Sequence, residues 1–509
     1  MYMDLTSELE RRFGYKRFRK GQKEIISALI QGKSVIGRLP TGSGKSLCYI
    51  FPADYIEGLF LIISPLLALM EDQVYRLRME GYKNVAALNS LRTIEEKKNI
   101  FSNLHRLKFL FISPEMLQSK YVLSALQDVS IGMFVIDEAH CISKWGYDFR
   151  PDYLRIQNFI KKYPDVPVLA LTATATKEII EDITKHLCLS DSERIISSVN
   201  RENIAIITDK VENETEKIKK LIQFTMYLPK PMLIYCNRRK TTEQLYEQLK
   251  SEKSLSDWQM SFFHGGLDGQ AKMILTEQYV SGEIDIMICT NAFGMGIHKD
   301  DIRTVIHFNP PLQYEAYLQE MGRAGRDQKP ACSVVLWNDE DFHKNEQLIA
   351  YEHLEYDQIR TYLYLRYVQT EVIWHKMLEY YLDMSLEMLD VPIEMKKNRA
   401  FMEKNIDFYT KKIYNYIISR RQINLDACKK IQLFFENHML CRRVQLLNYF
   451  GEHKQKQEGK CCDVCGVTLL DFYIEKSEKK SHQQAGWLER LQGLLRPEYI
   501  EGRKHDSEK

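Results

Sequence analysis

The sequence carries almost no net charge, because its 71 lysines and arginines are balanced by 69 aspartates and glutamates. A formal charge of +2 over the whole chain gives no argument for a polyanionic partner, so any basic binding surface must be local. The sequence also has no apolar run long enough to span a bilayer, and its first residues show no basic-then-apolar leader. We therefore expect a cytoplasmic protein without a membrane partner.

The eleven cysteines do not form the pattern of a disulfide-stabilised protein. Six are scattered, mostly in apolar, strand-like segments where a reduced buried thiol is usual: Cys48, Cys141, Cys188, Cys236, Cys289 and Cys332. Four others cluster late in the chain: Cys441, Cys461, Cys462 and Cys465. In a cytoplasmic protein such a cluster favours a metal site, with His453 as an alternative ligand and unmetallated thiols as the alternative interpretation.

Short apolar runs alternate with amphipathic stretches in two series, at about residues 30–190 and 204–337. This βα alternation predicts parallel sheets covered on both faces, so the fold class is α/β with two tandem parallel-sheet domains. In residues 342–437 strand-like runs stop, helical spacing begins and Pro392 is the only proline. We predict domains at 1–205 and 206–344, a helical region with a metal-binding module at 345–470, and a charged tail at 471–509.

A candidate phosphate loop follows the Val35-Ile36 run and precedes a predicted helix. Its residues are Thr41, Gly42, Ser43, Gly44, Lys45 and Ser46. Glycines let backbone N–H groups surround phosphate oxygens, Lys45 can neutralise the β- and γ-phosphates, and Ser46 can ligate Mg²⁺. The strict pattern has a glycine where this chain has Leu39, so the match is partial. A glycine- and serine-rich turn at a helix start is the alternative.

Two carboxylates, Asp137 and Glu138, directly follow the apolar run Ile131–Ile136. Ligands bind at the carboxyl ends of strands in an open parallel sheet, so Asp137 is the predicted second Mg²⁺ ligand and Glu138 the residue that polarises water. A basic, aromatic segment comes next: Lys144, Trp145, Tyr147, Phe149, Arg150 and Tyr153. This mixture suits base stacking and phosphate contacts on a single strand, with core packing as the alternative.

Two further segments extend the predicted nucleotide site. Arg323 and Arg326 lie three residues apart among small residues. Across a cleft from a phosphate loop, such arginines stabilise charge on the γ-phosphate, although a solvated helix face is the alternative. Near the N terminus, Gln22 can bond the edge of adenine, and Tyr15 or Arg19 can stack on the ring. Gln22 fits a solvated helix position equally well.

The order of these segments resembles that of superfamily 2 helicases. The matching segments are the phosphate loop, Asp137–His140, Leu171–Ala175, His264–Leu267 and Gly322–Arg326. The segment Phe13–Gln22, Ser64-Pro65-Leu66 and the aromatic loop after His140 resemble the RecQ family in particular, closely over residues 5–345 and more loosely over 428–466. The resemblance implies two RecA-like domains, ATP-driven 3′→5′ translocation on single-stranded DNA, and duplex unwinding in recombination or repair.

The resemblance also implies cofactors, partners and residue roles. Nucleotide-binding positions are Tyr15, Arg19, Gln22, Thr41, Gly42, Ser43, Gly44, Lys45 and Ser46. Catalytic positions are Lys45, Asp137, Glu138, Gln319, Arg323 and Arg326, and positions that couple DNA to hydrolysis are His140, Ser143, Trp145, Asp148, Phe149 and Arg150. ATP is expected with Mg²⁺ on Ser46 and Asp137, and Zn²⁺ on Cys441, Cys461, Cys462 and Cys465. Expected partners are single-stranded and tailed duplex DNA and a single-strand-binding protein, at the nucleoid if the source is bacterial.

The chain departs from the family pattern in three places. Gly459 stands where the family has a zinc-ligating cysteine, and Cys461 lies beside Cys462 instead. About 115 residues separate Arg326 from Cys441, which predicts a helical insertion within 345–425. Residues 466–509 are too few for the full winged-helix and C-terminal helical DNA-binding domains of the family.

These departures leave several functions open beside the favoured RecQ-type DNA helicase. The first is a DNA-stimulated ATPase, translocase or annealing factor that unwinds weakly because the winged-helix wedge is missing. An RNA helicase is a second alternative, since 2′-OH discrimination is not readable from the sequence. A nucleic-acid-binding module with a vestigial ATPase is the third, and intact Lys45, Glu138 and Arg326 argue against it.

Overall fold

The first half of the chain forms a seven-stranded, all-parallel sheet. The computed structural model describes residues 4–65, 67–90, 92–143, 150, 152–294, 299–351, 354–369, 398–452 and 461–474. The strands are β1 Val35–Arg38, β2 Leu59–Ile63, β3 Val85–Leu88, β4 Phe109–Ile112, β5 Ile131–Ile136, β6 Val168–Thr172 and β7 Glu193–Ile196. They lie in the order β3-β4-β2-β5-β6-β1-β7, so the strands that precede the predicted phosphate loop and the acidic pair are both internal to the sheet.

Helices cover both faces of this sheet. They are α1 Leu5–Phe13, α2 Gln22–Ile30, α3 Leu47–Ile50, α4 Leu67–Met79, α5 Ile94–Ser102, α6 Pro114–Leu117, α7 Lys120–Gln127, α8 Asp152–Ile160 and α9 Lys177–His186. Alternate residues of each central strand enter two separate apolar cores. Ile36 and Ile136 pack towards α8 and α9, while Val35 and Val135 pack towards α2 and α4. Burial on both faces explains why these strands are continuous apolar runs.

A second, six-stranded parallel sheet follows. Its strands are β8 Ile204–Lys210, β9 Met232–Tyr235, β10 Met260–Phe263, β11 Ile286–Cys289, β12 Thr304–His307 and β13 Ala331–Trp337, in the order β10-β11-β9-β12-β13-β8. Its helices are α10 Glu214–Tyr227, α11 Arg239–Ser251, α12 Gly269–Ser281 and α13 Tyr314–Met321. The two tandem parallel-sheet domains predicted from the sequence are confirmed, whereas the residue boundaries assigned to the domains stay a prediction.

The described residues after β13 are helical, as the sequence predicts. They form α14 Asp339–Tyr351, α15 Tyr356–Tyr364 with a π turn at Leu365–Gln369, the 38-residue helix α16 Arg399–Glu436, and α17 Arg442–Tyr449. Tyr362 and Tyr409 lie in the core between α15 and α16. The charged tail beyond residue 474 lies outside the described residues. None of the helices in the described ranges is long and apolar enough to cross a membrane.

Candidate active site and metal centre

The candidate phosphate loop lies at the carboxyl end of β1 and leads directly into α3. Gly42 and Gly44 have φ angles of 79° and 73°, a conformation that residues with a Cβ rarely adopt. Leu39, where the strict pattern has glycine, is fully buried in the core and hydrogen-bonds through its N–H to Thr172 O at 3.0 Å. The turn therefore requires glycine at positions 42 and 44, whereas the Leu39 side chain contributes to core packing.

The acidic pair lies opposite this loop, at the end of β5. The N–H of Asp137 donates to Ile63 O at 2.9 Å, and Tyr153 Oη donates to Asp137 O at 2.9 Å, so the backbone is fixed on two sides. Glu138 has a left-handed backbone with φ 48°, a strained conformation for a residue with a long side chain. Its Oε1 lies 3.3 Å from Lys45 Nζ. The structure thus brings the two predicted catalytic segments into contact.

The ionisable side chains of the phosphate loop and the acidic pair shift one another's pKa values. Burial raises the pKa of Asp137 to about 6, and the neighbouring Glu138 adds to the rise. Burial also opposes ionisation of Glu138, but Lys45 and His140 outweigh it, and the pKa of Glu138 lies below its ordinary value. Likewise, the two carboxylates outweigh the burial of Lys45 and raise its pKa. An ionised Glu138 beside a charged Lys45 is the stable arrangement.

The second domain supplies the opposite wall. Gln319 Nε2 donates to Thr174 Oγ1 at 3.4 Å, across the boundary between the domains. The Arg326 side chain packs so closely on the phosphate loop that a Cβ added to Gly42 would lie 2.8 Å from its Cγ. Burial, with nearby Arg323, lowers the pKa of Arg326 to about 10. Arg326 therefore lies on the phosphate loop, while Arg323 donates to Gly294 O and lines the same cavity.

A cavity of about 1080 Å³ separates the two walls. It is large enough for a nucleoside triphosphate, since ligand pockets usually measure about 300–1000 Å³. Predicted site residues from both domains line it: Tyr15, Arg19, Gln22, Thr41, Gly42, Gly44, Lys45, Ser46, Asp137, Glu138, His140, Gln319, Arg323 and Arg326. Mixed cations and carboxylates around a glycine loop can hold a phosphate chain with a divalent cation.

The residues predicted to bind adenine line this cavity, but Gln22 also supports the phosphate loop. Its side chain is 3% exposed, and its Nε2 donates to Ser43 O at 2.8 Å and to Gly44 O at 3.0 Å. Its Oε1 accepts from the Arg19 N–H at 2.8 Å. Gln22 thus holds the phosphate loop with both ends of its amide, and contact with adenine stays a prediction. Tyr15 is 58% exposed, so its side chain is accessible for stacking on an adenine ring.

The ends of the aromatic loop are tied to the ATP-site side of the first domain. His140 Nδ1 lies 3.1 Å from Thr172 Oγ1, and Ser143 Oγ donates to Asp182 at 2.6 Å. Arg150 donates to Pro65 O at 2.9 Å. The other predicted coupling residues, Trp145, Asp148 and Phe149, lie outside the described residues.

The four clustered cysteines converge on one point. Their Sγ atoms all lie within 4.8 Å of one another, with Cys441 3.4 Å from Cys461 and 3.9 Å from Cys462. Thiolates that ligate zinc at about 2.3 Å in a tetrahedron are separated by roughly 3.8 Å, so these donors fit the metal. The adjacent pair Cys461 and Cys462 is accommodated together with Cys465, while His453 lies outside the described residues.

This cysteine module, residues 441–452 and 461–467, covers the edge of the second sheet. Ile206 of the edge strand β8 donates its N–H to Cys461 O at 3.3 Å, and Thr208 Oγ1 donates to Asp463 at 2.9 Å. Arg442, which is fully buried, bonds the same carboxylate at 2.6 Å. An uncovered edge strand would invite pairing with other chains, so the module completes the fold of this domain.

Sequence reasoning missed an ion pair between a buried arginine and a partly buried glutamate that joins the cysteine module to the first domain. Arg38, the last residue of β1, bonds Phe450 O at 3.0 Å and Glu452 at 2.7 Å. Glu452 also accepts from the Val199 N–H at 2.9 Å. A single arginine in a strand and a single glutamate in a loop carry no pattern, so no local signal could have found the pair.

Three family profiles match the chain. One described as DEAD/DEAH box helicase matches residues 19–183, and one described as helicase conserved C-terminal domain matches residues 215–328. One described as RecQ zinc-binding matches residues 394–466, which includes all of α16. The zinc-binding resemblance thus begins earlier than residue 428, and the helical insertion predicted within residues 345–425 stays a prediction.

The chain is 40% identical over 483 residues to the probable ATP-dependent DNA helicase RecS of Bacillus subtilis, covering 93% of this chain and 94% of that protein. It is 34% identical over 465 residues to the ATP-dependent DNA helicase RecQ of Haemophilus influenzae, covering 90% of this chain and 63% of that protein. The chain therefore spans nearly all of the first relative and less than two thirds of the second.

Among solved structures, the Mycobacterium smegmatis helicase Lhr bound to ssDNA and AMP-PNP has a TM-score of 0.57 over 78% of this chain and 57% of that chain. At 16% identity this likeness shows the fold alone. The relationship at 40% identity extends over almost the full length of both sequences, and the zinc-binding profile is specific. The chain belongs to the RecQ family of ATP-dependent DNA helicases.

Proposed function

We propose that this protein is an ATP-dependent DNA helicase that translocates 3′→5′ on single-stranded DNA and unwinds duplexes during recombination or repair. The observation that carries the proposal is the cavity between the domains, in which Lys45 and Glu138 of the first domain face Arg323 and Arg326 of the second. A nucleotide held by both walls would draw the domains together, and its hydrolysis would release them. Such a cycle moves two domains along a strand.

In this proposal, each wall has a separate chemical task. The phosphate loop holds the β- and γ-phosphates with its N–H groups and Lys45. Glu138, ionised and aimed by its strained backbone, accepts a proton from the attacking water. Arg323 and Arg326 neutralise charge that develops on the γ-phosphate, with Gln319 as a further catalytic residue. Gln22 bonds the edge of adenine, and Tyr15 or Arg19 stacks on the ring.

Metal ions serve two purposes in the proposal. Mg²⁺ held by Ser46 and Asp137 would screen the phosphate charge during transfer. Zn²⁺ held by Cys441, Cys461 and Cys462, with Cys465 as the fourth ligand, would fix the module that covers the edge of the second sheet. These are one catalytic and one structural ion.

We also propose that the aromatic loop reports DNA to the ATP site. Trp145 and Phe149 would stack on bases, and Arg150 and His140 would transmit the contact, because both ends of the loop are bonded beside the acidic pair. Single-stranded and tailed duplex DNA are the proposed substrates, at the nucleoid if the source is bacterial. A single-strand-binding protein is a proposed partner.

The ionisation of Asp137 should set an acid limit on turnover. Mg²⁺ binds the carboxylate, so a proton competes with the metal once the pH falls through the Asp137 pKa of about 6. We expect kcat/KM for Mg-ATP, which reports the free enzyme, to fall up to about tenfold per pH unit below this value. A profile measured between pH 5 and pH 8, corrected for ionisation of the nucleotide, checks this. A flat profile down to pH 5 would contradict it.

The proposed function is tested by ATP hydrolysis with different nucleic acids. Turnover by the purified chain would be measured alone, with single-stranded DNA, and with single-stranded RNA of the same sequence. We expect DNA to raise kcat by at least about tenfold, in the range usual for coupled sites, and RNA to raise it less. Hydrolysis that is indifferent to DNA would defeat the proposal, and equal stimulation by RNA would favour an RNA helicase.

A further inference from the structure

Arg201 lies in the connection between the two sheets, after β7 ends at Ile196 and before β8 begins at Ile204. Its side chain is only 6% exposed. The backbone carbonyl of Arg201 accepts a 2.8 Å hydrogen bond from Arg443 of α17. The cysteine module therefore fixes the position of the Arg201 backbone.

The Arg201 guanidinium joins the two walls of the nucleotide cavity. One terminal nitrogen donates to Thr41 O at 3.1 Å and to Gly322 O at 3.0 Å. The other donates to Ala324 O at 3.0 Å and Gly325 O at 2.7 Å. Thr41 opens the phosphate loop, and the other three acceptors form the turn that carries the two cavity arginines. A single side chain thus fixes this turn against the loop.

Arg201 acts at a distance from the nucleotide, because it does not line the cavity. All four of its hydrogen-bond acceptors are neutral carbonyl groups, and the nearby carboxylate of Asp327 only partly offsets the cost of burying the cation. Burial, followed by the nearby Arg19, lowers the pKa of Arg201 to about 10. Packing alone does not explain a buried cation at this position. Its hydrogen bonds to four carbonyl groups do, because they join the phosphate loop to the turn of the second domain.

We propose that Arg201 is a positioning residue for ATP hydrolysis, which locks the turn bearing Arg323 and Arg326 onto the phosphate loop when the domains close. This inference rests on the proposed function. The planar guanidinium can reach four carbonyls at fixed angles, whereas an ammonium group cannot reproduce that fork. Loss of the fork leaves the phosphate loop and its ligands in place but lets the two arginines drift from the γ-phosphate.

The test compares Arg201→Lys and Arg201→Gln with the control Arg303→Lys. Arg303 also bonds backbone carbonyls, Asp301 O at 2.7 Å and Pro330 O at 3.1 Å, and it pairs with the Asp327 carboxylate at 2.6 Å, an ion pair that lysine can keep; all of these contacts lie within the second domain. We expect both Arg201 variants to lose at least about tenfold in DNA-stimulated kcat, because small displacements of catalytic groups have effects of this size or larger. Equilibrium binding of a fluorescent ATP analogue and the Tm should stay close to wild type, as should kcat of the control.

A double-mutant cycle with Arg326→Ala separates positioning from general stability. If Arg201 acts through the cavity arginines, adding Arg201→Lys to Arg326→Ala should cost little further kcat. Additive losses, or a parallel fall in Tm and nucleotide affinity in both Arg201 variants, would overturn the inference. So would an unchanged kcat in Arg201→Lys. A wild-type protein without DNA-stimulated hydrolysis would instead defeat the proposed function itself.

Discussion

Replacing Glu138 with glutamine is expected to abolish ATP turnover while ATP still binds. The amide keeps the size of the side chain and its oxygen near Lys45, which lies 3.3 Å away in the structure. It cannot accept a proton from water, and loss of a general base typically costs about 10²- to 10⁴-fold in rate. DNA-stimulated kcat, measured beside equilibrium binding of a fluorescent ATP analogue, separates the two effects.

A matched control for Glu138→Gln is Glu193→Gln in the same domain. Glu193 lies 2.6 Å from Lys33, so this substitution also removes a carboxylate from a lysine, but at the surface. The control should retain wild-type kcat, whereas Lys45→Ala should lose both turnover and ATP affinity. A folded Glu138→Gln protein that keeps kcat within about tenfold of wild type would rule out its role as the base.

Replacing Cys462 with serine is expected to lower the free energy of unfolding by more than about 4 kcal/mol, as loss of a structural metal does. Cys462 is fully buried and belongs to the same apolar core as Trp337 of β13 and Phe434 of α16. Without the metal, the cysteine module would leave the edge of the second sheet. Metal content, thermal unfolding and limited proteolysis of the variant check this together.

The exposed Cys188 provides the control for this substitution. Cys188→Ser removes a thiol remote from the cluster, so the bound metal and the Tm should not change. Treatment of the wild type with a strong chelator should reproduce the Cys462→Ser result. A Cys462→Ser protein with one tightly bound zinc ion and wild-type Tm would contradict the four-cysteine site.

The sequence predicts those strands and helices whose apolar residues form a clear pattern. Ile131–Ile136 is a buried strand as predicted, since strands covered on both faces must be continuously apolar. The edge strand Glu193–Ile196 was not singled out, because its residues alternate between half-buried and exposed and its four residues are too few for a pattern.

The residues of the candidate site likewise fall into those that a sequence pattern predicts and those that it does not. Lys45, Asp137 and Glu138 come from short motifs with a defined spacing, so their convergence is predictable. Arg38 and Arg201 do not line the cavity, and their importance comes from backbone carbonyls supplied by distant segments. Such contacts leave no trace in local sequence, because a carbonyl oxygen is present at every position.

The most direct test of the central claim is strand separation on duplexes that differ only in their tail. Three substrates would be compared in the presence of ATP and Mg²⁺: a DNA duplex with a 3′ single-stranded tail, the same duplex with a 5′ tail, and an RNA duplex with a 3′ tail. A DNA helicase that moves 3′→5′ separates the first and leaves the other two paired. Separation of the 5′-tailed or RNA duplex in preference to the 3′-tailed DNA, or none of the three despite ATP hydrolysis, would contradict the account.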